Sequence, residues 1–322
     1  MNSRMSENKI VLVKRKTRLE ELIVRYNTIQ QAQFYIERLG VDFTDYIQED
    51  QNYRHAVEQS VMTLQNIGRV QLLEREHVPN FIFGDDDIVV VLGQDGLVAN
   101  TMKYVTHQPL IGVNPDPLRW DGVLLPFQVR DLIKIVPEVL SKRRTIQEVM
   151  LAKAELNDGQ TLYGVNDLFI GRKTHVSARY QLQLAGHTEQ QSSSGIIVST
   201  GMGATGWFKS VLAGASGIVH SESYQQITGS VQYEETQSVT TNSLAWDTPQ
   251  LYFTVREPFP SRTTSTNCVF GQINQNQPLR IISQMPENGV IFSDGVESDF
   301  LEFNSGMTAT IGLAEKRGHL VV

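Results

Sequence analysis

The chain has 322 residues, 40% of them hydrophobic and 20% charged, which is ordinary globular composition and enough for two packed cores. A formal charge of −7, shared by both halves, leaves no basic stripe for nucleic acid or an anionic membrane. The single cysteine, Cys268, excludes an intrachain disulfide and a thiolate metal cluster.

The opening MNSRMSENK is too short and polar for a secretory signal, and no stretch approaches the roughly 20 apolar residues that cross a bilayer, so a cytoplasmic protein without a membrane partner is expected. Ile10–Val13 reads as a buried strand. Thr17 with Glu20 forms a capping box for a helix running towards Leu39, with Gly40 as its stop. Ala56, Val57, Val61 and Leu64 share one face of a second helix that ends before Gly68. Val70–Leu73 and Ile88–Leu92 follow as strands, the latter continuous enough to be buried on both faces of a parallel sheet. Leu97–Thr106 reads as a helix, Leu110–Val113 as a strand and Phe127–Leu140 as a further helix. This alternation predicts a doubly wound α/β domain, whose ligands sit at the carboxyl ends of the strands.

Beyond about residue 145 the pattern becomes strand-like: Val149–Leu156, Leu162–Ile170, Ala178–Leu184, Ile196–Ser199, Leu251–Val255, Leu279–Ile282, Val290–Phe292 and Phe300–Phe303. One helix interrupts it, beginning near Gly203 and carrying Trp207, Val211 and Leu212, and the polar stretch from Ser221 to Asn242 reads as an exposed or partly disordered loop. The domains expected are an α/β nucleotide-binding domain over 1–118 and a β-rich domain over 119–304, with the tail 305–322 packing back on the first.

Four segments could carry chemistry. In VVVLGQDGLVAN, residues 89–100, a buried strand ends in Gly93, Gln94, Asp95 and Gly96 before a helix whose free N–H groups favour an anion. An ordinary Asp-Gly turn is the duller reading. In YGVNDLFIGR, residues 163–172, Asn166 and Asp167 interrupt a strand and offer an amide and a carboxylate suited to an adenine edge and ribose hydroxyls, or simply a β-turn. In SSGIIVSTGMGATGWFKSV, residues 193–211, a strand enters a small-residue turn with Trp207 beyond it, a stacking surface or a core residue. In IFSDGVES, residues 291–298, Asp294-Gly295 reads alone as a hairpin turn. The seven histidines are scattered without zinc-ligand spacing.

In this order and spacing the four segments resemble the NAD kinase family, whose GGDG motif matches Gly93–Gly96, whose Asn-Glu motif matches Asn166-Asp167, whose Gly/Thr-rich motif matches Ser199–Trp207 and whose later Asp-Gly pair matches Asp294-Gly295. IGVNPDP, NDLFIGR, the SSG before the third motif, Trp207 and FTVREPF look most similar to the mitochondrial-type branch. The resemblance implies a fold of the NAD kinase/diacylglycerol kinase type and transfer of a phosphoryl group from a nucleoside triphosphate, ATP or another phosphoryl donor, with magnesium, to the 2′-hydroxyl of the adenosine ribose of NAD. It implies Asp95 as general base, Gly93 and Gly96 as room for phosphates, and Asn166, Asp167, Thr205, Gly206 and Trp207 around the adenosine of NAD. Asp294 would stand near the nucleotide, and the assembly would be a homodimer. Three departures stand out. Gln94 replaces the second glycine, a residue disfavoured at positive φ; Leu97 replaces a phosphate-binding threonine; and Asp167 shortens the usual glutamate. They leave open a catalytically impaired dinucleotide-binding or regulatory protein, and a sugar or lipid kinase of the same superfamily.

Overall fold

A computed structural model describes residues 5–221 and 244–322, in two units, Met1–Gln147 with Gly318–Val322, and Glu148–Arg317. The polar stretch ending at Asn242 lies, after Ser221, outside the described residues.

The first unit is built on β1 (Lys9–Lys14), β2 (Arg69–Glu74), β3 (Ile88–Leu92) and β4 (Leu110–Asn114), paired in parallel in the order β2-β1-β3-β4. β1 therefore has β2 on one side and β3 on the other, and the strand order reverses between β1 and β3, the place where open α/β sheets bind ligands. The continuous apolar runs are explained by burial: all five residues of β3 and of β4 are buried. Thr17 does cap a helix through a reciprocal bond with Glu20, but α1 (Arg18–Tyr26) stops at Asn27, whose φ of 66° is left-handed, and Thr28 caps a new helix, α2 (Ile29–Arg38). The single helix expected towards Leu39 is thus two. The Asn-Thr pair supplies a stop residue and a start residue in succession. The second expected helix is α3 (Thr44–Gln65), and the helix after Gly93 is α4 (Asp95–Met102), two residues earlier than periodicity indicates.

The expected helix over Phe127–Leu140 is also shorter. β5 (Phe127–Gln128) extends the sheet beside β4, and only Leu132–Leu140 is α-helical (α5). Leu132, Ile135, Val136 and Val139 share one hydrophobic cluster with Ile10, Leu12, Val90 and Ile111, so α5 belongs to the first unit and the division falls after residue 147 rather than 118. Only the end of the tail, Gly318–Val322, joins this unit, where Leu320 pairs in parallel with Leu110.

The second unit is antiparallel. One sheet has β13 (Phe270–Ile273), β12 (Leu251–Arg256), β11 (Gly195–Ser199), β8 (Asp167–Arg172), β15 (Gly289–Ser293) and β16 (Phe300–Glu302), in that order. The other runs β10 (His187–Ser193), β9 (Ala178–Leu184), β14 (Leu279–Ser283) and β17 (Thr308–Val321), which also pairs with β6 (Ile146–Leu156) and through it with β7 (Thr161–Gly164). Leu168, Ile170, Ile196, Val198 and Phe253 of the first sheet share one core with Tyr180, Leu182, Leu279 and Ile281 of the second. Strand β10, HTEQQSS, has no apolar residue to announce it; it forms because its backbone pairs along the whole of β9. α6 (Trp207–Val219) is the expected helix in this half. No described helix is long and apolar enough to cross a membrane.

Candidate functional site

In the first unit the buried strand β3 delivers the chain to Gly93, where a Cβ would lie 2.8 Å from Cδ2 of Leu97. Leu97 is 3% exposed, so it packs inward, where a threonine hydroxyl would be buried with it. Gln94 caps α4 with φ −119° and ψ 163°, an extended backbone open to any residue, so its side chain carries no left-handed strain. Gly96 is exposed with open space where a side chain would stand. Asp95 opens α4, and its carboxylate accepts the backbone N–H of Leu124 at 2.7 Å and of Val123 at 3.3 Å. Each oxygen keeps a second lone pair for a ligand.

Around the same strand ends stand residues that no motif announced. The Tyr53 hydroxyl donates to the carbonyl of Leu92, one residue before Gly93, and accepts from the N–H of Arg15. Arg15 reaches Glu49 at 2.7 Å; Arg18 bridges Glu49 and Asp45, both at 2.6 Å; Arg119 grips Asp45 with two bonds of 2.6 and 3.1 Å. Burial would push Glu49 up, but hydrogen bonds from Arg15 and Arg18 outweigh it and hold the carboxyl below its ordinary range. Arg119 and then Arg18 hold Asp45 far below its own. The only hint in the sequence is position: Arg15 follows directly on β1 and Arg18 opens α1.

The second unit assembles the other three motifs. Val165 and Asn166 form the turn between β7 and β8 and Asp167 opens β8, which splits the strand expected over Leu162–Ile170. Thr200 holds this turn from one side: its N–H donates to the Asn166 carbonyl at 2.9 Å and its hydroxyl to the Val165 carbonyl at 2.6 Å, while accepting from the N–H of Gly203. A Cβ on Gly203 would lie 1.9 Å from the Asn166 carbonyl oxygen, so glycine is required by close approach. Asp294, with φ 54°, holds the turn from the other side: its carboxylate accepts the N–H of Asn166 at 2.6 Å, Val165 at 3.0 Å and Asp167 at 3.3 Å. Asp294 thus meets the backbone of the second motif, in addition to closing the turn between β15 and β16.

Asp167 is 7% exposed, and burial, followed by the charge of Asp294, pushes its carboxyl up to about 7. Along β8 every second residue faces the same way, so Phe169 lies on the Asp167 face. Register sets Phe292 opposite it, ring centroids 4.8 Å apart, and half-buried Trp207 also stacks on Phe169 at 5.7 Å and 12°. The Arg256 guanidinium stands 5.4 Å from the Trp207 ring. Trp207 is therefore both packed and partly open, whereas Thr205 and Gly206 are exposed ahead of α6. The sequence places Thr200 in the third motif and Phe292 in the fourth without an individual role, and Phe169 has none either; period-two alternation from Asp167 could have found Phe169. Among the described residues no group of three or more His, Cys, Asp or Glu is placed to hold a metal ion.

No family profile matches the chain. Over 130 residues it is 29% identical to an NAD kinase of Heliobacterium modesticaldum, covering 38% of this chain and 44% of that protein. Over 129 residues it is 26% identical to an NAD kinase of Clostridium kluyveri, again 38% and 44%. The match thus spans less than half the length of these relatives. In fold it is similar to an NAD kinase from Archaeoglobus fulgidus solved in complex with ATP, with a TM-score of 0.52 and 14% identity over 98% of this chain and 93% of that one. It is likewise similar to yeast NADH kinase complexed with NADH, with a TM-score of 0.55 and 15% identity over 98% and 84%. An α/β unit followed by a β-rich unit is thus the class of fold. The resemblance to the NAD kinase family read from the four ordered motifs is borne out, in sequence over part of the chain and in fold over nearly all of it.

Proposed function

We propose that the chain is an NAD kinase, moving a phosphoryl group from ATP to the 2′-hydroxyl of the adenosine ribose of NAD to give NADP. The observation that carries this reading is the Asn166–Asp167 turn: an amide and a buried carboxyl, fixed by Thr200 and Asp294 and lying beside the aromatic row of Phe169, Phe292 and Trp207. Such a set suits a flat base and ribose hydroxyls. In this reading Asn166 and Asp167 hold the adenosine of NAD, and Thr205, Gly206 and Trp207 line its pocket.

The first unit supplies the donor side. Gly93 and Gly96 leave room for phosphates, and the start of α4 presents N–H groups and partial positive charge to them. Asp95 accepts the proton of the ribose hydroxyl as the new P–O bond forms, an assistance worth about 10²- to 10⁴-fold. Magnesium would come with ATP and offset the charge on its phosphates. The extended backbone at Gln94 favours a working kinase over an impaired descendant, because the substitution leaves the turn unstrained. We place the enzyme in the cytoplasm as a homodimer. Incubation of the pure protein with NAD, ATP and magnesium, with NADP read by an NADP-specific dehydrogenase, tests the proposal; no NADP from NAD or NADH with any triphosphate or polyphosphate would contradict it.

A further inference from the structure

We propose that Asp294 is a positioning residue rather than a nucleotide ligand: by gathering the backbone N–H groups of Val165, Asn166 and Asp167 on its carboxylate, it sets the Asn166 amide and the Asp167 carboxyl for the ribose. The inference rests on the NAD kinase reading for its ligand and on geometry for its mechanism.

Three consecutive N–H groups converge on one carboxylate, with Oδ1 taking bonds of 2.6, 3.0 and 3.3 Å and Oδ2 a further one of 3.1 Å from Val165. Charge-assisted bonds of this kind are about twice as strong as neutral ones. The N–H of Asp294 returns a bond to the Asp167 carbonyl at 3.1 Å, so the two turns are tied in both directions. Asp294 reaches this place with a left-handed φ of 54°, a conformation that aspartate tolerates better than most residues, and β15 carries it there by pairing Ser293 with Leu168. With the backbone of Asn166 and Asp167 fastened from outside, their side chains are left for a ligand.

The arrangement has an electrostatic consequence. Among the described residues, the charge acting on Asp167 is that of Asp294, which adds to burial in raising the Asp167 carboxyl to about 7. The ionised form accepts hydrogen bonds from ribose hydroxyls, so NAD binding strengthens as pH rises through about 7. Removing the Asp294 charge lowers that midpoint.

The test uses the full chain with Asp294→Asn, which keeps one acceptor oxygen, and Asp294→Ala, which keeps none. Amide hydrogen exchange of the peptide containing 165–167 should accelerate at least about 10-fold in Asp294→Ala, with other core strands unchanged. NAD affinity by calorimetry should fall at least about 10-fold in Asp294→Ala and less in Asp294→Asn, whose binding midpoint should also move to lower pH, while ATP affinity stays within a few-fold. Should Asp294→Ala fail to fold, the exchange rate and pH midpoint of Asp294→Asn decide alone. Unchanged exchange at 165–167 in the folded variants would overturn the positioning role whether or not NAD binds. NAD affinity equal to wild type with accelerated exchange would overturn its functional half. Absence of NAD binding to the wild-type chain would instead strike the NAD kinase reading.

Discussion

The Gly93–Gly96 turn and the Asn166–Asp167 turn are both candidate ligand sites beside buried strands, yet they are held in opposite ways. In the first, the candidate catalytic side chain is itself the tie: Asp95 grips the backbone of Val123 and Leu124. In the second, Thr200 and Asp294 fasten the backbone of the turn, and the side chains of Asn166 and Asp167 are left to a ligand. The difference teaches that a substitution at Asp95 would mix its proposed chemistry with loop anchoring, whereas the second site can be disturbed from outside without touching the residues proposed to hold NAD.

The largest effect expected is from Asp95→Asn, which keeps one acceptor oxygen for Leu124 but loses basicity. Phosphoryl transfer should drop at least about 100-fold with NAD affinity within a few-fold. Retention of most turnover would reduce Asp95 to a loop anchor. Next comes Gly203→Ala. Its Cβ would overlap the Asn166 carbonyl, so the turn must shift, at about 1–3 kcal/mol in stability and roughly 10-fold or more in NAD affinity. Normal affinity measured by calorimetry would show that the Gly203 contact is dispensable.

Asp167→Asn separates stability from function. The folded pKa of Asp167, about 7, lies above its ordinary value of 3.8, so between those values the folded chain keeps a proton that the unfolded chain has released. Its contribution is fully present below 3.8 and is lost as pH rises through about 7. Asparagine, which cannot ionise, should therefore raise the melting temperature at pH 8 by a few degrees and leave it nearly unchanged at pH 4, while weakening NAD binding at pH 8. Equal shifts at both pH values would mean that Asp167 is not the titrating group. The smallest effect belongs to Gln94→Gly, which should lower the apparent KM for ATP by no more than a few-fold, because the native backbone already has an extended conformation. Leu97→Thr, by contrast, should destabilise by about 2 kcal/mol or more, since it exchanges buried packing for a buried hydroxyl. A gain in ATP affinity without loss of melting temperature would put Leu97 at the phosphates after all.

What was legible in the sequence was what depends on local chemistry. The apolar runs of β3 and β4, the capping box at Thr17 and the four small-residue motifs are each encoded within a few neighbouring residues. What escaped depends on partners distant in sequence. The polar strand His187–Ser193 exists through pairing with Ala178–Leu184, and α5 reveals its unit only through the side chains it meets; the helix break at Asn27 is the local exception, set by one left-handed residue. The candidate site divides in the same way. Asn166, Asp167 and Asp294 stood out as polar residues beside apolar strands, but the bonds from the Asp294 carboxylate to residues 165–167 span 127–129 positions and no spacing rule points to them. Arg15, Arg18 and Arg119 belong to no motif, and only the fold gathers them on Glu49 and Asp45.

The central claim, that this chain phosphorylates the adenosine ribose of NAD with Asp95 as the base, is tested most directly by comparing NADP formation in wild type and Asp95→Asn. NAD, ATP and magnesium are supplied to each, and an NADP-specific dehydrogenase reports the product. The account predicts sustained NADP production by wild type and a rate at least about 100-fold lower for Asp95→Asn, with both proteins binding NAD to within a few-fold. NAD binding without NADP formation by wild type, with any triphosphate or polyphosphate, would contradict it and leave a dinucleotide-binding protein in its place.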